Sequence, residues 1–162
     1  MINDILDFSK IEAGKLTVEN VAFVPAEVVR NVVDLYRPRI LEKSLNLELG
    51  IAPELERAVI GDPHRLRQIL LNLVDNAIKY TPKGGQITLG LAREDGWARL
   101  TVADTGVGIP PEHLPHIFER FYRVDRARSR GGGGAGLGLS IAQWIAQAHG
   151  GRITVESEVG QG

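Results

Sequence analysis

The chain has 162 residues but no cysteine, one methionine and only 6% aromatic residues. The lack of cysteine excludes a disulfide framework, a thiolate metal site and a cysteine nucleophile. No apolar run approaches the roughly 18 residues that a transmembrane helix requires, and no charged-then-apolar leader opens the sequence. Neither sign of charge dominates, because 19 Lys+Arg oppose 20 Asp+Glu. We therefore expect neither membrane contact nor binding of nucleic acid through bulk charge.

The residues that are present are those of a globular domain, with 43% hydrophobic and 24% charged residues. Apolar periodicity predicts helices over 2–12, 25–42, 62–80 and 137–148, and strands over 16–23, 45–51, 58–60, 86–93, 97–103 and 152–156. Because helices and strands alternate in blocks, we predict an α/β (α+β) two-layer sandwich. It would have three helices on one face of a mixed, mostly antiparallel sheet of about five strands, plus an N-terminal helix fragment.

The helix over 62–80 carries an unusual polar stripe. Asp62-Pro63 is a strong helix start, with an acceptor at the N-cap and proline in the first turn. The side opposite the apolar arc presents Gln68, Asn72, Asn76 and Lys79. A solvated face would be the ordinary explanation, but such faces favour Lys and Glu over Asn. An amide oxygen suits Mg²⁺ when phosphates and water complete the shell, and the lysine could meet a phosphate.

The segment Asp104-Thr-Gly-Val-Gly-Ile-Pro110 directly follows a predicted strand. One explanation is a strand-ending turn, since Asp and Gly are common there. A more specific one is an adenine site, because a carboxylate accepts from the exocyclic amine of adenine but would repel the carbonyl of guanine. Gly106 and Gly108 would let the backbone approach the ring without a Cβ.

Ten of the 19 glycines lie in residues 131–162, and the run Gly131–Leu139 opens a predicted helix. Such a run is either a flexible linker or a phosphate site built from amides at a helix N-terminus. Residues 131–136 formally satisfy G-x-G-x-x-G, but no strand precedes them, so we reject a dinucleotide fold. Glu119–Arg130 holds five arginines and is either a solvated loop or a basic lid over a polyphosphate.

Taken together and in this order, residues 62–162 resemble the ATP-binding catalytic domain of sensor histidine kinases, in the superfamily of type II topoisomerases and a heat-shock chaperone. The matching segments are Asn72–Thr81 (N box), Asp104–Gly108 (G1 box), Ile117–Arg123 (F box), Gly134–Gly138 (G2 box) and the closing His149–Gly160. Residues 1–15 resemble the end of the second helix of the dimerisation domain. Residues 16–162 would then be the catalytic domain, apparently without the family's last strand.

The resemblance implies a role for each matching position. Nucleotide contacts fall to Asn72, Asn76, Lys79, Tyr80, Asp104, Gly106, Gly108, Ile109, Gly134, Gly136, Leu137 and Gly138. Asp104 would read the adenine amine beside Tyr80. Asn76 would ligate Mg²⁺. Lys79 and Arg123 would be the catalytic residues that stabilise the γ-phosphate as transfer begins.

Superfamily members that hydrolyse ATP place a glutamate at the position of Asn72, as base for a water. Asn cannot take that proton, so the resemblance favours transfer of the γ-phosphate to a histidine over hydrolysis. That histidine would lie on a dimerisation domain outside this chain, in a homodimeric, cytoplasmic or membrane-anchored parent that serves a response regulator. This domain itself would be cytoplasmic. The alternative is a non-catalytic ATP-binding or docking module of the same fold.

Overall fold

The computed structural model describes residues 2–15, 17–124 and 135–162. The helices are α1 (Ile2–Glu12), α2 (Pro25–Glu42), α3 (Pro63–Tyr80) and α4 (Gly138–Ala148), with short 3-10 helices at Pro53–Glu56 and Leu114–His116. The strands are β1 (Val21–Phe23), β2 (Asn46–Ile51), β3 (Val59–Gly61), β4 (Gln86–Glu94) and β5 (Trp97–Asp104). Most of the predicted lid lies outside the described residues.

The described strands form two sheets rather than the single sheet that was predicted. β2, β4 and β5 form a mixed sheet in the order β2-β4-β5, in which β2 is parallel to β4 and β4 is antiparallel to β5. β1 and β3 pair with each other as a separate antiparallel ribbon. Each of these two strands has only three residues, and neither pairs with a strand of the larger sheet. The α+β class is confirmed.

The main core lies between the larger sheet and the helices α2 and α3. β4 buries alternate residues, Ile87, Leu89 and Leu91, as expected of a strand with one covered face. They join buried side chains of both helices, among them Val32 and Val74. Helix α4 packs through a second cluster. Its buried members are Leu137, Ile141 and Ile145, and the partly buried side chains beside them are Ile11, Ile69, Ala135 and Trp144. Helix α3 therefore lies between both clusters.

The predicted strand over 152–156 is wrong, because residues 151–158 adopt no regular secondary structure. A strand requires a continuous row of backbone partners, and this segment instead makes isolated contacts near its end. The Gly160 amide donates to the Val107 carbonyl at 2.9 Å, and the Glu158 amide donates to the Gly162 carbonyl at 2.8 Å. The segment thus docks on the loop that follows β5.

The N-terminus of α3 is fixed by Asp62, which is only 4% exposed. Its Oδ1 accepts from the Arg65 amide at 3.0 Å, as an N-cap should, and its Oδ2 accepts from the Glu19 amide at 2.9 Å. Burial alone would raise the pKa of Asp62, but the hydrogen bonds from Glu19 and Arg65 outweigh it and hold the pKa below its ordinary value. The ionised carboxylate therefore stabilises the fold.

We expect Asp62→Asn to lower the free energy of unfolding by about 1–2 kcal/mol at pH 7. Since the pKa is lowered on folding, this contribution is present above the unfolded value of about 3.9 and is lost as pH falls through the folded pKa. Urea unfolding of both proteins from pH 7 down to pH 2 should show the difference shrink with acidification. A difference that is the same at every pH would remove the carboxylate charge as its cause.

Candidate functional site

The polar stripe of α3 faces the segment that opens α4. Asn72 is half-buried, and its amide nitrogen donates to the carbonyl of Gly138 at 3.1 Å. A Cβ on Gly138 would lie 3.3 Å from the Asn72 Cγ, so the glycine permits this close approach. Asn76 is also half-buried, and its side chain makes no hydrogen bond with any described residue. One turn apart, the two asparagines thus differ in that the first is held by α4 and the second is available to a ligand.

The C-terminal end of α3 contacts the loop after β5. The carbonyl of Tyr80 accepts from the Val107 amide at 3.3 Å. A Cβ on Gly106 would lie 2.9 Å from that carbonyl oxygen and 2.4 Å from Asp104 Oδ1. Asp104 is half-buried, and its Oδ1 accepts from the Gly106 amide at 2.9 Å, which orients the carboxylate. The structure therefore brings Asp104, Gly106 and Tyr80 together at one end of α3.

Gly108 and Ile109 continue this loop and contact the end of the chain. Gly108 has φ +70°, and a Cβ there would lie 2.1 Å from the carbonyl oxygen of Glu158. The Ile109 amide donates to Ser157 Oγ at 2.8 Å, and that hydroxyl donates to the Gly162 carbonyl at 2.8 Å. Glycine is required at position 108 because the backbone of residue 158 contacts it, whether or not a ligand also approaches this loop.

Two of the predicted G2 residues, Gly136 and Leu137, contact different parts of the domain. Gly134 lies outside the described residues. Gly136 has φ +74°, and its carbonyl accepts from the Phe121 amide at 3.0 Å, which ties the segment to the F box. Leu137 is buried with Ile141 in the second core cluster, so its side chain supports α4 and faces no ligand. Only the backbone of Leu137 could serve a nucleotide, together with the neighbouring Gly138.

The two predicted catalytic cations lie on different segments. Lys79 is exposed, and its Nζ lies 4.8 Å from the ring centroid of Tyr80, which is 48% exposed. Such contacts at exposed sites are weak, so a phosphate could recruit the ammonium. Arg123 is half-buried and pairs with no acid among the described residues. It follows Tyr122, whose carbonyl lies beside Gly136, so this arginine belongs to the side of the site near α4.

The arrangement fits a nucleoside polyphosphate in one orientation. Asp104 and Tyr80 mark one end, and Asn72 with the N-terminus of α4 marks the other, where backbone amides suit phosphate oxygens. Eight residues of helix separate Tyr80 from Asn72, about 12 Å at 1.5 Å per residue. Between them, Asn76 offers an unengaged amide oxygen, a donor that suits Mg²⁺ once phosphate oxygens share the ion. The residues present therefore fit a nucleoside polyphosphate and the Mg²⁺ that would accompany it.

Residues 61–162 match the family described as histidine kinase-, DNA gyrase B-, and HSP90-like ATPase. The chain belongs to this ATPase family. The predicted resemblance to the ATP-binding catalytic domain of sensor histidine kinases is confirmed. Within the ATPase family, the whole chain is 40% identical over 162 residues to the sensor histidine kinase RcsC of Escherichia coli K12. It is 41% identical to the histidine protein kinase DivJ of Caulobacter vibrioides.

Two solved structures are similar to this chain in fold and in sequence. Full-length ShkA in complex with AMPPNP is similar with a TM-score of 0.84 and 35% identity, over 99% of this chain and 33% of ShkA. The mycobacterial sensor histidine kinase MprB is similar with a TM-score of 0.67 and 33% identity, over 81% and 80% of the two chains. The chain spans 17% of the length of RcsC and 27% of DivJ.

Some residues that shape the site were not predicted from the sequence. Lys43, at the end of α2, contacts three carbonyls at the end of α3, and Ser157 holds the Ile109 amide. Neither residue stands in a recognisable motif, and each contact joins segments more than thirty residues apart in the chain.

Within the described helices, none is both long enough and apolar enough to cross a membrane.

Proposed function

We propose that this ATPase-family domain binds ATP with Mg²⁺ and transfers the γ-phosphate to a histidine on a separate dimerisation domain of the parent protein. That domain would pass the phosphate to a response regulator, and the parent would act as a homodimer. Similarity to sensor histidine kinases over the whole chain supports this, as does the AMPPNP bound in the similar ShkA structure.

The observation that carries the proposal is the pair of contacts that α3 makes along one stripe. Tyr80 contacts the loop of Asp104 at one end, and Asn72 contacts Gly138 at the other. The carboxylate of Asp104 would accept from the adenine amine, and the α4 amides would receive the phosphates. Asn76 would hold Mg²⁺, which when bound neutralises phosphate charge. Lys79 and Arg123 would stabilise the charge that develops during transfer.

Among the described residues, the polar stripe of α3 presents no base that could activate water. Asn72 uses its amide nitrogen to donate to the Gly138 carbonyl, and its neutral oxygen cannot take a proton. The nearby acid Asp75 pairs with Arg39 of α2 at 2.5 Å, so its carboxylate is directed to that helix. We therefore propose slow hydrolysis in the absence of a histidine acceptor.

None of the four histidines of the chain belongs to the polar stripe of α3 or to the N-terminus of α4, where the phosphates would bind. His113 Nδ1 lies 2.5 Å from the Tyr122 hydroxyl, and His116 Nδ1 lies 2.6 Å from Glu119 Oε1. His149 Nδ1 lies 2.7 Å from the carbonyl of the fourth residue before it. His64 is exposed in the first turn of α3, two turns away from Asn72. An acceptor supplied by another domain explains the site better than any of these rings.

The contacts of helix α1 support a connection to the dimerisation domain at the phosphate end of the site. Asp7 Oδ2 accepts from Gln68 Nε2 at 2.8 Å, one turn before Asn72, and Ile11 packs into the α4 cluster. Glu12 pairs with Arg120 of the F box at 2.6 Å. We propose that residues 1–15 end the second helix of the dimerisation domain, so that this helix reaches the catalytic domain beside the phosphate end of the site.

The decisive experiment supplies the acceptor. The chain is incubated with radiolabelled ATP and Mg²⁺, with and without a separately prepared dimerisation domain. We expect label on that domain, stable to base and labile to acid, and little label on the isolated chain. The matched arm uses Asn76→Ala, which should weaken binding of Mg-ATP more than binding of metal-free ATP.

Two results would contradict the proposal. Label on the isolated chain at a rate comparable to the mixture would mean that a histidine of this chain accepts the phosphate. Binding of ATP without transfer to the supplied domain would instead favour a non-catalytic nucleotide-binding or docking module, whose nucleotide only orders the site.

A further inference from the structure

Lys43 closes the C-terminal end of the helix that carries the site. Its Nζ donates to the carbonyls of Ile78 at 2.6 Å, Lys79 at 3.1 Å and Thr81 at 2.6 Å. A lysine ammonium has three donors, so these contacts use all of them. The carbonyls at the end of a helix lack partners within the helix and carry partial negative charge. One cation thus satisfies the last turn of α3.

The remaining carbonyls of this turn are also satisfied. The Tyr80 carbonyl accepts from the Val107 amide, and the Ala77 carbonyl accepts from both the amide and the hydroxyl of Thr81, which is fully buried. The last turn is therefore held from two directions, by the loop of Asp104 on one side and by Lys43 on the other. The side chains that this turn presents are Lys79 and Tyr80, both exposed.

The position of Lys43 is fixed by its own backbone. Its amide donates to the Arg39 carbonyl, and the following Ser44 has φ +50°, so that Leu45 turns back into the core. The Lys43 carbonyl accepts from the Gly84 amide at 3.3 Å, which joins the turn after α2 to the loop after α3. The half-buried side chain is thus held in place beside the last turn of α3.

We propose that Lys43 is a positioning residue for nucleotide binding, acting through the last turn of α3 on Tyr80 and Lys79. It directly follows α2 and touches no residue predicted to contact the nucleotide except through backbone carbonyls. This inference rests on the proposed function, since it concerns how the ATP site is held in shape. It adds a residue outside the sequence motifs to those that determine affinity.

The test is a double-mutant cycle on ATP affinity with Lys43→Met and Tyr80→Ala, measured by calorimetry on proteins shown to be folded by circular dichroism. We expect Lys43→Met to weaken binding about tenfold, which corresponds to about 1.4 kcal/mol. In the Tyr80→Ala background the same change should cost clearly less, because one of the two side chains on which Lys43 acts is gone and only Lys79 remains. A loss that only reflects fewer folded molecules would be the same in both backgrounds.

The matched control is Lys83→Met, which removes an exposed lysine from the loop after α3. The Lys83 side chain forms no hydrogen bond or ion pair with any described residue. It should bind ATP as the wild type does. Hydrogen exchange should also rise in residues 77–81 of Lys43→Met and stay unchanged in the control. Additive losses in the cycle, a Tyr80→Ala protein with wild-type affinity, or unaltered exchange would each overturn the inference. If the wild type itself failed to bind ATP, the proposed function would fall instead.

Discussion

Asp104→Asn should lower ATP affinity by about one to two decades, because a hydrogen bond to a charged acceptor contributes roughly 1.5–3 kcal/mol. The geometry sharpens this expectation. Asp104 Oδ1 already accepts from the Gly106 amide at 2.9 Å. In the variant the asparagine oxygen can keep that bond, which leaves the loop intact and places the amide nitrogen where the second carboxylate oxygen was. A donor would then face the adenine amine, itself a donor.

The same substitution should spare GTP, since guanine presents a carbonyl where adenine presents its amine. Calorimetry with both nucleotides should therefore show the preference for ATP over GTP fall by about 10- to 100-fold, in proportion to the loss of ATP affinity. Asp95→Asn is the matched control, because it removes one carboxylate from the exposed β4–β5 turn. Equal ATP affinity in wild type and Asp104→Asn would remove Asp104 from the adenine role.

Gly108→Ala should reduce the free energy of unfolding by about 2–4 kcal/mol, since strained backbone and overpacking each cost about 1–3 kcal/mol. Gly108 has φ +70°, which side chains rarely adopt, and the added Cβ would lie 2.1 Å from the Glu158 oxygen and 2.8 Å from the Val159 Cα. Both neighbours are backbone atoms, so one segment must move. Because Gly108 continues the loop of Asp104, we also expect ATP affinity to fall.

Gly96→Ala separates the cost of the positive φ from the cost of the steric overlap with Glu158. Gly96 has φ +86° in the β4–β5 turn, but nothing lies within 4 Å of its added Cβ. This control should lose only about 1–2 kcal/mol, the cost of a left-handed conformation without collision. Urea unfolding of the three proteins measures both values. Equal losses for the two variants would mean that the contact with Glu158 contributes nothing to the requirement for glycine at position 108.

Much of the local structure follows from neighbouring residues. Asp62-Pro63 begins α3 through N-cap and proline chemistry that acts within one turn, and the structure has both features. Asp95-Gly96 predicts the hairpin, and both residues have the positive φ that such a turn needs. The polar stripe of α3 was likewise readable from its helical spacing. In each case the residues that determine the structure lie within a few positions of one another.

The predictions that failed depend on partners far away in the chain. Residues 152–156 have the apolar alternation of a strand, but the described part of the chain places no row of backbone partners beside them. β1 and β3 were predicted as strands, yet their pairing with each other instead of with β2 is a choice among distant segments.

The sequence by itself determined the family, because its motifs follow one another in a characteristic order. It also determined the helical stripe that presents Asn72 and Asn76 and the two glycine segments that flank it, because each of these is encoded by residues close together in the chain. Only the tertiary structure decided that Lys43 binds the carbonyls at the end of α3 and that the backbone of Glu158 packs against Gly108. Those contacts join residues 35 to 50 positions apart. Their geometry arises when helices and sheet pack around a common core, and no local preference of the chain encodes it.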